Sequence, residues 1–272
     1  MYHILSLGAG VNSTALLHVI IDEGLPLDEV VMADTGAEKP ETYDYVAKWI
    51  VPFLESRAIP FVTVQAKESL IERCMRGHTI PDRRYRWSTR DYKIQPIYKH
   101  LKPNLPATVY LGISFDEPDR VKDSLKERVT NNWPLVDRKM TRADCVKVIQ
   151  SKGWPEPVKS GCWFCPFTRL DGWRWLWKEH PRLFKQAMEI EQNGSKYPQF
   201  TLYGRLKKQR LRNLRGQGLL LPLAADIPKS AGLAALALRF EAEARSDSKA
   251  ALAALEQMSL TEDNDCSGYC MT

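Results

Sequence analysis

The chain has 272 residues, 44% of them hydrophobic, and a formal net charge of +6. That is enough apolar material for one large α/β domain, or a domain with an appendage, and the charge surplus is too mild to argue for nucleic acid by itself. No apolar run reaches the roughly 18 residues that suggest a membrane-spanning helix, and the sequence opens directly on a strand pattern with no signal peptide, so a cytoplasmic protein without a membrane partner is expected.

The first element is an apolar run, Ile4 and Leu5, feeding a glycine-rich turn from Gly8 through Gly10 to Asn12, Ser13 and Thr14. Ala15, Leu16, Val19 and Ile20 follow at helical spacing. Strand, glycine loop and helix start together make a site for phosphate or sulfate, because glycine permits close backbone approach and the first helical N–H groups have no partner within the helix. The Ser13 and Thr14 hydroxyls are read as helping them. A second strand, Glu29 to Ala33, ends in Asp34-Thr35-Gly36, and Pro40 starts a helix with Tyr43, Val46, Ala47 and Ile50 at helical spacing. Ile59 to Val64 reads as a third strand. Alternating strands and helices predict a parallel sheet covered on both faces.

Residues 73–99 are rich in cations: Arg73, Arg76, Arg83, Arg84, Arg86, Arg90, Lys93 and Lys99. Charge alone fits a solvated surface as well as arms reaching over phosphates. Thr108 to Ile113 is a fourth strand, followed by a loop with Asp116, Glu117 and Arg120. The two acids are candidates to hold Mg²⁺ on a polyphosphate, with Arg120 on its oxygens; two exposed acids at a helix start are the equal alternative. Thr141 is the expected N-cap of a helix from Arg142 to Lys152, ended by Gly153, with Cys145 as a small core residue.

Six cysteines in a chain of this size suggest metal or redox chemistry more than a disulfide framework. Cys162 and Cys165 form a Cys-x-x-Cys turn, which supplies two ligands of a metal site, with Cys74, Cys266 and Cys270 as candidates for the rest. Residues 173–192 are helical with a break at Pro181, and Trp173, Trp177, Phe184, Met188 and Ile190 are expected to pack on the sheet rather than on a base. Arg205, Lys207, Lys208, Arg210, Arg212 and Arg215 lie on a basic amphipathic stretch that suits a solvated face or the backbone of an RNA, a DNA or a nucleoprotein complex. We place a domain over residues 1–222 and a helical appendage with a cysteine-containing tail over 223–272.

Taken in this order, the motifs resemble the phosphoadenosine phosphosulfate (PAPS) reductase family of the adenine-nucleotide α-hydrolase-like, or PP-loop, superfamily, which includes ATP pyrophosphatases. Ser6-Leu7-Gly8 through Asn12-Ser13-Thr14 is similar to its phosphate-binding loop Ser-(Phe/Gly)-Gly-Lys-Asp-Ser. Asp34-Thr35-Gly36 with Pro40-Glu41-Thr42-Tyr43 is similar to its Asp-Thr-Gly-x-x-x-Pro-Glu-Thr-Tyr. Lys93 to Ile97 and Gly112 to Arg120 resemble two later segments, and Cys162-x-x-Cys165 the second cysteine pair of cluster-bearing members. The loop here is two residues longer, Asn12 replaces the usual Asp, and Ser88-Thr89 stand where those members carry adjacent cysteines.

The resemblance implies a doubly wound, mostly parallel α/β sheet of Rossmann-like adenine-nucleotide α-hydrolase type. It implies a nucleotide held by Ser6, Gly8, Gly10, Asn12, Ser13, Thr14, Asp34, Thr35, Gly36, Glu41 and Arg90. The preferred activity is cleavage of ATP with Mg²⁺ to AMP and pyrophosphate, or adenylation of an acceptor, as in sulfur transfer or beside a defence system, with Lys93, Arg120 and Asp34 in the chemistry. One alternative is reduction of an adenylyl sulfate to sulfite through Cys266 or Cys270, with a thioredoxin-like dithiol. Asp265-Cys266-Ser267-Gly268-Tyr269 only loosely resembles the family's reactive-cysteine motif. Another alternative is a non-catalytic nucleotide- or nucleic-acid-binding accessory protein. Cys74, Cys162, Cys165 and Cys270 are the ligand set for a four-iron, four-sulfur cluster or Zn²⁺.

Overall fold

A computed structural model of the chain describes residues 1–81, 86–194 and 232–245. The described residues fall into two compact units, one holding Met1–Leu70 and Arg86–Cys162, the other drawn from Ile71–Tyr85 and Trp163–Cys266. The boundary placed at 222 lies outside the described residues.

The first unit is a five-stranded parallel sheet in the order β3-β2-β1-β4-β5, made of β1 (Tyr2–Ser6), β2 (Glu29–Asp34), β3 (Phe61–Gln65), β4 (Ala107–Leu111) and β5 (Val129–Asn132). Side chains alternate across the sheet, so each central strand feeds two cores. Leu5, Val30, Met32 and Tyr110 pack on one face with Leu16 and Ile20 of α1 (Val11–Asp22), Ile50 and Leu54 of α2 (residues 40–55), and Cys145 and Ile149. Ile4, Val31 and Val109 pack on the other face with Ile97 and Leu101. Helices on both faces make the fold doubly wound. The β5 strand, Val129-Thr-Asn-Asn132, pairs only with β4 and carries too little apolar signal for the sequence to announce it.

The α2 helix is built from Pro40–Tyr45, a π-type turn over Val46–Ile50, and Val51–Glu55. Pro52 explains the wide turn, since its ring would strike the carbonyl four residues back in a regular helix. The turn also rotates the buried stripe. Tyr45, Val46, Ile50 and Leu54 face the core, whereas Tyr43, expected in the stripe, is exposed.

Outside the sheet-bearing unit, α3 (Leu70–Gly77) runs largely in the second one. The helix α4 (residues 87–101) repeats the α2 device: a π turn, Arg90–Ile94, precedes Pro96. The α5 helix (Arg142–Ser151) begins as expected at Thr141, whose hydroxyl accepts from the Asp144 amide while Asp144 accepts from the Thr141 amide. Cys145 is fully buried and burial pushes its thiol up to about 12, which fits a core residue rather than a reactive thiol. In the second unit α6 (Leu170–Glu179), α7 (Pro181–Gly194) and α8 (Leu233–Arg245) bury Trp173, Phe184 and Phe240, with Trp173 on Phe184 at 6.2 Å and Trp177 on Phe240 at 5.6 Å. The expected helix break at Pro181 is present, and the aromatics meet helix partners where the sheet was expected.

A polar group sits in the first core. His18 of α1 is 1% exposed, edge-on to Trp154 at 4.6 Å and Phe53 at 5.0 Å. Burial, aided by the nearby Lys152 charge, lowers its pKa to about 4. The folded chain therefore refuses a proton that the unfolded chain takes up below about pH 6.5. Stability from this group is full above that pH and falls as the pH drops toward 4. Urea titrations at about pH 7.5 and 4.5 should show a loss of roughly 2–3 kcal/mol that is absent in His18→Phe.

Candidate functional site

The strand order reverses between β1 and β4, so the loops leaving their carboxyl ends diverge and leave a crevice where open α/β sheets take ligands. The loop after β1 turns at Ala9, with φ of 52°, and reaches an extended Gly10 before α1. No side chain caps this helix. Its first N–H groups, with the positive end of the helix dipole, face the crevice end of the sheet. Ser6 is buried at the strand end. Ser13 and Thr14 are fully buried, and the Ser13 hydroxyl donates to the Gly10 carbonyl at 3.2 Å. The Ser13 hydroxyl is thus engaged within the loop.

The loop after β4 closes the other side. Gly112 is pressed on α1 so closely that a Cβ would lie 2.7 Å from the Ser13 Cα and backbone N. Beyond it, Asn12 Nδ2 donates to Ser114 Oγ at 2.9 Å and to Glu117 Oε2 at 3.1 Å, and Arg120 Nη1 donates to Glu117 Oε1 at 2.6 Å. The Arg120 side chain is only 8% exposed. Its Nε and Nη2, like Asn12 Oδ1 and Thr14 Oγ1, are buried with no hydrogen-bond partner among the described residues. Unmatched buried guanidinium donors are costly and call for an acceptor.

The third part is the loop after β2. Asp34 is fixed on both oxygens, accepting from the Gly36 amide at 2.8 Å, the Tyr43 hydroxyl at 2.6 Å and Gln65 Nε2 at 2.8 Å. Partial withdrawal of its ring from water and this carboxylate together raise the Tyr43 phenol above its usual range. Gly36 has φ of 70° and abuts the Ser69 side chain, a turn suited to glycine. Glu38 was not singled out by the sequence, yet it is 4% exposed and the loop is built on it. Its Oε1 lies 3.4 Å from Lys93 Nζ and accepts from the Thr35 hydroxyl at 3.4 Å, while Oε2 accepts from the Gly161 amide at 3.0 Å. Segment 159–162 thus crosses both loops. Ser160 stands over Gly10, so that a Cβ there would meet its Oγ at 2.6 Å. Lys39 Nζ donates to the Lys159 carbonyl, and Cys162 pairs with Glu38 through the backbone and lies 3.7 Å by Sγ from Thr35 Oγ1.

A family profile for the phosphoadenosine phosphosulfate reductase domain matches residues 2–143, which contain all five strands and both loops of the crevice. The chain belongs to the PAPS reductase family. Among solved structures, it is similar to a phosphoadenylyl-sulfate (PAPS) reductase from Candida auris, crystallised as a phosphate complex, with 16% identity and a TM-score of 0.46 over 60% of this chain and 82% of that one. No curated protein gives a significant match. A PAPS reductase-family domain supports a nucleotide-related enzyme of sulfur metabolism.

Several residues named from the sequence have protein partners in the structure. Asp116 accepts from the Arg142 amide at the start of α5, and Glu117 is spent on Asn12 and Arg120. Among the described residues no three His, Cys, Asp or Glu side chains gather to hold a metal. Arg90 is exposed and forks onto its neighbour Asp91 at 2.6 Å. Glu41 lies half-buried in the first turn of α2. Cys74 is fully buried on α3, Cys162 ends the first unit and Cys165 belongs to the second. None of these three is in a disulfide. Cys266, Cys270 and the basic stretch 205–215 lie outside the described residues. No described helix is long and apolar enough to cross a membrane.

Proposed function

We propose that the domain binds an adenine nucleotide with its phosphates between the start of α1 and Arg120, and cleaves ATP at the α-phosphate. The observation that carries this reading is the Arg120 guanidinium, buried, with Nε and Nη2 unmatched, one Glu117 carboxylate away from Asn12 of α1. A phosphate oxygen supplies the acceptors these donors lack, and the fork suits it better than a point charge would.

In this reading, a water or acceptor oxygen attacks the α-phosphorus. The bond to the bridging oxygen breaks and pyrophosphate leaves with the electron pair, giving AMP or an adenylated acceptor and releasing the nucleophile's proton to solvent. The demand on the protein is positioning and neutralisation of growing negative charge. Amides at the α1 start, Arg120 and Lys93 meet that demand, and Asp34 with Tyr43 shapes the loop beside it. A divalent cation bridging the phosphates would offset further charge, with Asp116 and Glu117 of the loop after β4 as the candidate acids. Reduction of an adenylyl sulfate would need a thiol to attack the sulfur of its phosphate–sulfate anhydride.

The test separates products from α-labelled ATP and from labelled phosphoadenosine phosphosulfate. AMP and pyrophosphate, lost in Lys93→Ala by at least about a hundredfold, are the expected result. Sulfite from the sulfate nucleotide, lost in Cys266→Ser or Cys270→Ser, overturns the reading in favour of a reductase. Binding without turnover of either overturns it in favour of an accessory protein.

A further inference from the structure

We propose that Glu38 is a positioning residue: it holds Lys93 at the carboxyl edge of β2 and fastens segment 159–162 across the nucleotide loops. The proposal rests on the nucleotide reading above and deepens it. Three groups from three parts of the chain converge on one buried carboxylate: Lys93 Nζ at 3.4 Å, the Gly161 amide at 3.0 Å and the Thr35 hydroxyl at 3.4 Å. The Glu38 side chain is 2% exposed and that of Lys93 21%, so the carboxylate is withdrawn from water and the cation is the less buried of the two.

Burying an ammonium with an acid costs it solvation, and Lys93 is the less buried partner of this pair. It sits on the π turn of α4. A flexible four-carbon stem needs such a tether if its charge is to stand at a fixed point when the phosphates arrive. The same carboxylate, through its other oxygen, holds the strap that places Ser160 over Gly10 and Cys162 beside Thr35. One residue therefore ties the cation and the cover to the same loop.

Glu38→Gln isolates the first role, because the amide carbonyl still accepts from Gly161 while the charge opposite Lys93 is gone. In this variant, kcat for ATP should fall about tenfold or more with KM within about threefold. Made in a Lys93→Met background, the same change should lower kcat no further, the non-additivity expected of two groups acting as a unit. Glu38→Asp should recover part of the rate and serves if the glutamine variant does not fold. Gly161 amide exchange should stay slow in Glu38→Gln and quicken in Glu38→Ala. An unchanged kcat, or equal losses in both backgrounds, overturns the proposal.

A readout independent of turnover is the NMR signal of carbon-13-methylated Lys93, assigned by its loss in Lys93→Arg. It should move in Glu38→Gln and not in the control Asp119→Asn. If wild-type protein fails to cleave ATP, the α-phosphate reading falls, and this signal still decides the tether. A signal that stays in place sinks it.

Discussion

Replacing Arg120 with methionine should cost the protein its grip on nucleotide phosphates while leaving the fold nearly as stable as before. The expectation follows from how the guanidinium is satisfied. One nitrogen is paired with Glu117 at 2.6 Å, and Nε and Nη2 are buried with no partner among the described residues. Two charge-assisted hydrogen bonds to a phosphate contribute about 1.5–3 kcal/mol each. Their loss should weaken ATP or pyrophosphate binding by on the order of a hundredfold to ten-thousandfold in calorimetry. In the unliganded protein, the same two donors are a standing cost, so removing them offsets part of what is lost at Glu117, which keeps Asn12 and Ser114 as donors. The melting temperature without ligand should drop little, and the rise produced by saturating nucleotide should vanish. Arg120→Lys should retain only part of the affinity, because a point charge cannot repeat the fork. A methionine variant that binds as wild type would remove Arg120 from the site.

The same cluster accounts for a departure from the family pattern. Asn12 occupies the position where an aspartate is usual, and its Nδ2 lies 3.1 Å from Glu117 Oε2. A carboxylate there would face another carboxylate, and like charges at that distance disfavour both. An amide instead donates to Glu117 and to Ser114, and so joins the start of α1 to the loop that carries Arg120. Asn12 is the partner that Glu117 requires.

What the sequence disclosed was whatever local chemistry specifies. The order of apolar run, glycine turn and helix places β1, the turn after it and α1 correctly, because each signal lies within a few residues of what it determines. Thr141 with Asp144 does the same for α5. The residues read less well owe their roles to distant partners. Glu38 is one of several acids in a polar loop until Gly161, 123 positions away, donates to it. Asp116 and Glu117 are neighbours in sequence, but their distant partners, the Arg142 amide for one and Asn12 for the other, appear only in the fold. Tyr43 falls out of its helical stripe because the π turn before Pro52 shifts the register, which no fixed period anticipates. Of the candidate-site residues, the glycine turn was legible from its own composition and Lys93 and Arg120 from the family resemblance, whereas Glu38 was legible from neither.

Gly112→Ala should be the most damaging small substitution in the sheet-bearing unit. The methyl would lie 2.7 Å from the Ser13 Cα and backbone N and 3.0 Å from the Asn12 carbonyl carbon. These are main-chain atoms at the start of α1, with no flexible side-chain end to yield. Either β4 or the helix start must move, at a cost of about 1–3 kcal/mol and toward the top of that range. Movement at this point separates the α1 amides from Arg120, so nucleotide binding should fall by at least about tenfold beyond what reduced stability explains. The control is Gly24→Ala. Gly24 has φ of 64° with nothing within 4 Å, so alanine there meets backbone strain alone. Urea titration should show both variants destabilised, while calorimetry should show affinity lost only at Gly112. Equal affinity in the two variants would mean that the α1 start is not part of the anion site. Loss at Gly112 alone would tie binding to the meeting of β1 and β4 loops, where the reversal of strand order puts the crevice.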